Sequence, residues 1–144
     1  VPWLTVVDEM GKLDTSPNVV SIFVEASYAE AGSIMIQRYD SKSTGTWEQN
    51  EWLQNKTIDN MLDDAVATVD KTQRFNKYIA VQEALMNMYL SIYVVDQSEI
   101  RGYYAGYVDW YAAKGQNSPI LGYNWDVRLI GFDAAKKRQL FPGS

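Results

Sequence analysis

Two amphipathic stripes in succession constrain this chain more than any other feature. Ile58, Met61, Leu62, Ala65, Val66 and Val69 recur at i, i+3, i+4, i+7, i+8 and i+11, which places six apolar side chains along one face of an α-helix. Asp59, Asp63 and Asp64 fall early in that helix, where the positive end of its dipole favours carboxylates. Asp70 then reads as the N-cap of a second helix, with Gln73 three residues on completing a capping box. The second helix is expected to run through Phe75, Tyr78, Ile79, Leu85 and Met86 to about Met88.

What these helices pack against is suggested by Val19-Val20-Ser21-Ile22-Phe23-Val24. This run is nearly all apolar and rich in β-branched residues, as in a strand buried on both faces. The expected class is therefore α/β, a parallel or mixed sheet flanked by helices. Leu90–Val95, Glu99–Tyr104 and Trp125–Phe132 read as further strands. Pro2 followed by Trp3, Leu4, Val6, Val7 and Met10 predicts a short helix closed near Gly11, and Ala29–Tyr39 predicts another. Lys12–Asn18, Asp40–Asn50 and Gly115–Pro119 read as turns or loops.

Composition narrows the chemistry. The 144 residues contain no Cys and no His, so there is no disulfide framework, no Cys or His nucleophile and no Ser–His–Asp triad. No metal site or cofactor is expected. A net charge of −5 argues against a nucleic-acid partner, and the one basic run, Lys136-Lys137-Arg138, reads as a solvated tail. Residues 1–72 hold twelve acidic and five basic side chains; residues 73–144 hold six and eight. Ten of the nineteen aromatic residues lie between Tyr89 and Phe132, as core or as a stacking surface. No apolar run approaches the ~20 residues needed to span a bilayer. The start, Val1-Pro2-Trp3, lacks both an export signal and an initiator Met, and is expected to belong to a processed or longer protein.

Asn55-Lys56-Thr57-Ile58-Asp59-Asn60-Met61-Leu62-Asp63-Asp64-Ala65 is followed by a short turn at Val69-Asp70, then Thr72-Gln73-Arg74-Phe75-Asn76-Lys77-Tyr78, Gln82-Glu83 and Ile92-Tyr93. This order resembles the C-terminal lobe of the family-five extracellular solute-binding proteins, the peptide- and nickel-type receptors of bacterial ABC importers. Their pattern is an Asn, a D-x-L-L-x-x-A helix, an Asp-led turn, an R-x-x-x-Y-x-x-x-Q helix and a strand ending near Tyr. Arg74, Tyr78 and Gln82 match that second helix. More weakly, Phe23–Glu30 sits where such proteins carry an aromatic-Asp-Tyr-Pro-Asp-Pro-like loop, and Tyr93–Tyr107 matches their return segment.

The resemblance implies a type II periplasmic-binding-protein fold, with residues 1–144 as a single domain forming most of the C-terminal lobe. It implies a location in the periplasm or at the cell surface, a small polar ligand held between two lobes, and an ABC permease as partner of the full-length protein. It also allows a non-physiological dimer of an isolated lobe. In peptide-binding members an acidic residue of the Asp-Tyr loop receives the ligand's α-amino group. Ser27 stands there in this chain and both prolines are gone, which shifts the expectation toward an oligosaccharide. Glu25 or Glu30 could restore the carboxylate.

The expected ligand-binding residues are Glu25, Ser27, Tyr28, Glu30, Trp47, Trp52 and Trp110. Ser27 and Tyr28 follow a predicted strand, and ligands of open α/β sheets sit beyond strand C-termini. Trp47 and Trp52 lie in or near a polar loop, where an exposed indole would stack on a sugar and a buried one would plug the loop onto the core. Trp110 poses the same choice. Asp63-Asp64 are adjacent on a helix and face different directions, so they read as a solvated face rather than an acid–base pair. Catalysis is not expected. The competing readings are a carbohydrate-active enzyme using two carboxylates and a stand-alone interaction module using the Tyr- and Trp-rich half.

Overall fold

The computed structural model describes residues 1–96, 100–118 and 120–143. The chain forms two compact units, Val1–Tyr93 and Val94–Ser144. It is mixed α/β, mostly helical, with one small two-stranded sheet.

In the first unit, α1 spans Trp3–Met10 after Pro2, whose extended backbone (ψ 142°) sets the helix entry. Helix α2 spans Ala31–Tyr39, capped by the Glu30 carboxylate. Helix α3 spans Lys56–Ala67, and Asn55 Oδ1 accepts from the Thr57 and Ile58 amides at its head. Helix α4 spans Lys71–Met86; Asp70 Oδ1 accepts from the Gln73 amide at 2.8 Å, which is the N-cap half of the expected capping box. The core joins three of these helices: Met35 and Tyr39 of α2, Ile58, Leu62 and Ala65 of α3, Tyr78, Val81 and Leu85 of α4, with Leu53 from the loop before α3. Each large apolar side chain so buried contributes about 1.5–3 kcal/mol. The predicted helical pair is therefore the frame of the unit.

The loop between α2 and α3 is tied down by polar groups. A single 3₁₀ turn at Ser41–Ser43 begins at Asp40, whose buried carboxylate accepts from the Lys42 amide. Asp59 of α3, also buried, accepts from the Ser41 amide at 2.9 Å. Desolvation pushes the Asp59 carboxyl up, but the bonds from Ser41 and the nearby Lys56 and Lys42 charges outweigh it and hold it below the ordinary carboxylate value.

The second unit contains β1 (Val108–Asp109) and β2 (Gly131–Phe132), antiparallel with Val108 opposite Phe132 and Asp109 opposite Gly131. Short 3₁₀ turns at Tyr111–Lys114, Leu121–Trp125 and Val127–Leu129 lie between them, and α5 (Ala134–Leu140) follows with Asp133 as its cap.

The sheet departs from expectation. Residues 19–24 form no strand, and Val19 and Phe23 are 88% and 70% exposed. Residues 90–95 are likewise irregular, with Ile92 90% exposed. A strand exists only where a neighbour completes its ladder, and neither segment has one among the described residues. Of the expected strand at Glu99–Tyr104, Glu99 lies outside the described residues and 101–104 are irregular. Only Gly131–Phe132 of the expected Trp125–Phe132 strand is paired; 127–129 turn instead.

Candidate functional site

Ahead of α2 the chain turns through Glu25–Glu30. The Ser27 amide donates to Ser33 Oγ at 2.9 Å, Gln37 Nε2 donates to Ser27 Oγ at 2.8 Å, and the Glu30 amide donates to the Tyr28 carbonyl at 2.7 Å. Beneath this turn the Glu30 carboxylate gathers three donors. Oε2 accepts from the Gly32 amide (2.7 Å) and the Tyr78 hydroxyl (2.8 Å), and Oε1 from Arg74 Nε (3.2 Å). Arg74 also donates through Nη1 to the Thr68 and Val69 carbonyls, 3.0 Å each, so it bolts the α3–α4 turn to the head of α2. Burial and the bond to Glu30 push the Tyr78 hydroxyl up to about 12. Gly32 leaves room for this assembly: a Cβ at that position would lie 2.5 Å from the Tyr78 hydroxyl and 2.7 Å from Glu30 Oε2 and would push these groups aside. With Glu30 satisfied inside the chain, the residues of the turn that face solvent are Glu25, Ser27, Tyr28 and Ala29, with Tyr28 48% exposed.

Trp47 is half-buried, its ring edge-to-face with Trp3 at 5.2 Å. It lines a shallow groove of about 360 Å³ whose other wall carries Asp8 and Lys12 of α1 and the turn after it, an exposed ion pair at 2.7 Å. Trp52 does not share that groove. Its backbone lies in the left-handed region (φ +53°), unusual for so bulky a residue. The indole NH of Trp52 is buried with no hydrogen-bond partner.

Beside Trp52 lies a polar cluster that the sequence pattern did not reveal. Arg38 of α2 and Glu51 form a buried ion pair, Ser91 Oγ donates to the same Glu51 oxygen at 2.8 Å, and the Tyr39 and Tyr93 hydroxyls meet at 2.8 Å. Burial, then the Tyr39 hydrogen bond, raises the Tyr93 hydroxyl well above its ordinary value. Arg38 Nη1, Gln49 Oε1, Asn50 Oδ1, Glu51 Oε2 and Trp52 Nε1 are buried without hydrogen-bond partners. The available clue was Arg38 itself, a charge beside Tyr39 on the helix face that carries Met35.

In the second unit Trp110 is 9% exposed and its Nε1 donates to the Asn124 carbonyl at 2.8 Å. Tyr103 meets it edge-on at 5.6 Å, Trp125 lies at 4.8 Å, and the Arg101 guanidinium sits 5.5 Å over the Trp125 ring. Trp110 is thus a core plug here, while Tyr103 and Trp125, each 42% exposed, present the open ring surface. Of the seven expected residues, four share the Glu25–Glu30 turn, Trp47 lines the groove, Trp52 borders the buried cluster and Trp110 anchors the second unit.

Among the described residues no group of three or more acidic side chains is arranged to hold a metal ion, and no helix is long and apolar enough to cross a membrane. Comparison of the chain with protein-family models, curated proteins and solved structures finds no match.

Proposed function

We propose that this chain is most of the C-terminal lobe of a bilobed, extracytoplasmic solute receptor of the type II periplasmic-binding-protein class. The receptor captures a polar solute, an oligosaccharide or a peptide, and presents it to an ABC permease; the lobe supplies one wall of the cleft and performs no catalysis. The observation that carries this reading is the Glu25–Glu30 turn. Its underside is fixed by Ser33, Gln37, Arg74 and Tyr78, while the Tyr28 ring remains half exposed above it. A contact residue on a pre-ordered turn loses little freedom on binding, which is what a passive receptor wall needs. The resemblance adds support, because Arg74 and Tyr78, two of its three matched positions in that helix, bond to Glu30 at the end of this turn.

Isothermal titration of the full-length parent against neutral oligosaccharides and short peptides tests the reading. Saturable binding of one class, weakened about tenfold by Tyr28→Ala, is expected. Binding of neither class overturns the ligand assignment, and a parent gene without a preceding lobe overturns the receptor assignment.

A further inference from the structure

The second unit contains a groove of about 490 Å³ that the receptor reading does not use. Its volume falls in the range of small-molecule sites. Tyr103 and Phe132 supply aromatic surface, 42% and 60% exposed. Asp109 pairs with Lys114 at 2.5 Å, and Asp133 with Lys136 at 3.8 Å. Part of the lining is backbone, because Gly131 faces Asp109 so closely that a Cβ there would meet the Asp109 Cβ at 3.1 Å.

We infer that this groove is a binding site for a neutral carbohydrate. Two carboxylates and two ammonium groups leave its charged lining with no net charge, which disfavours both an anionic and a cationic ligand. A sugar offers hydroxyls that donate to carboxylates and accept from ammonium groups, and an apolar CH face that lies against an aromatic ring. Both ion pairs are exposed and therefore weakly held, so their side chains can turn to new partners at little cost. Trp110 meets the Tyr103 ring edge-to-face at 5.6 Å, which restricts its rotation.

The test is titration of the 144-residue chain with cellotetraose, maltotetraose and chitotetraose, read by calorimetry and by amide chemical shifts. One of the three is expected to saturate, shifting the amides of Gly106, Val108 and Gly131, with an affinity indifferent to added salt. Asp109→Asn and Tyr103→Ala should each weaken it about tenfold, and Val69→Ala, at an exposed position of the other unit, should leave it unchanged. Lys114→Gln, at an exposed position, replaces Tyr103→Ala if loss of the Trp110 contact unfolds the unit. No saturation by any of the three sugars, shifts confined to other residues, or full affinity in Asp109→Asn and Lys114→Gln would overturn the assignment. Loss of binding in Tyr28→Ala bears on the first unit and loss in Asp109→Asn on this groove, so the variants separate the two sites.

Discussion

Glu30 shows how a single side chain serves several parts of a fold. Its two oxygens cap the start of one helix, hold an arginine and receive a tyrosine hydroxyl within 3.2 Å. Gly32→Ala would drive a methyl into that assembly and is expected to cost about 1–3 kcal/mol in chemical denaturation. In a Tyr78→Phe background, where the hydroxyl is gone, the cost should be smaller, so the double mutant should fall short of additivity. The same hydroxyl creates an alkaline sensitivity. Its folded value, about 12, lies above the ordinary 10.0, so the folded state retains a proton that the unfolded chain releases. That stabilisation is complete below pH 10 and declines as pH rises toward 12, and Tyr78→Phe should flatten the decline in urea titrations across that window. Glu51 carries a different risk. Glu51→Ala strands the buried Arg38 guanidinium and is expected to destabilise by about 3–5 kcal/mol. Little of this was legible in the sequence, because hydrogen bonds spanning 44 and 48 residues leave no periodic trace. Glu30 was visible as a carboxylate, but nothing in its neighbours said that it would face Arg74 and Tyr78.

Helices α3 and α4 were legible because their stripes and caps are local. Leu62, fully buried, is the best test of their interface: Leu62→Ala should cost about 2–5 kcal/mol, read as a lowered denaturation midpoint at unchanged slope. Periodicity overstated the width of the stripes, however. Val66 and Val69 are 46% and 92% exposed, and α4 buries Tyr78, Val81 and Leu85 while Phe75 and Ile79 remain partly open. The predicted strands failed for a related reason. β-Branched and aromatic content records that a segment would suit a sheet, but pairing depends on a neighbour that composition does not contain. Residues 19–24 and 90–95 have such content and no ladder, whereas Val108–Asp109, which carries little signal, is paired because Gly131–Phe132 returns beside it.

At the scale of the molecule, burial is uneven between the two units. Among the described residues, ten of the twelve buried hydrophobic side chains lie in the first unit, and the second has Trp110 and Ile120. Amide exchange should accordingly be slowest in α3 and α4 and faster throughout the second unit; equal protection in the two would contradict this reading of the cores. The aromatic pairs add something of use to the experimenter. Trp3 and Trp47, at 5.2 Å, belong to the first unit, and Trp110 and Trp125, at 4.8 Å, to the second. Indoles this close share their electronic excitations, and each pair should give its own exciton couplet in circular dichroism. Trp3→Phe removes one couplet and Trp125→Phe the other, so the chain carries a separate native chromophore for following the melting of each unit.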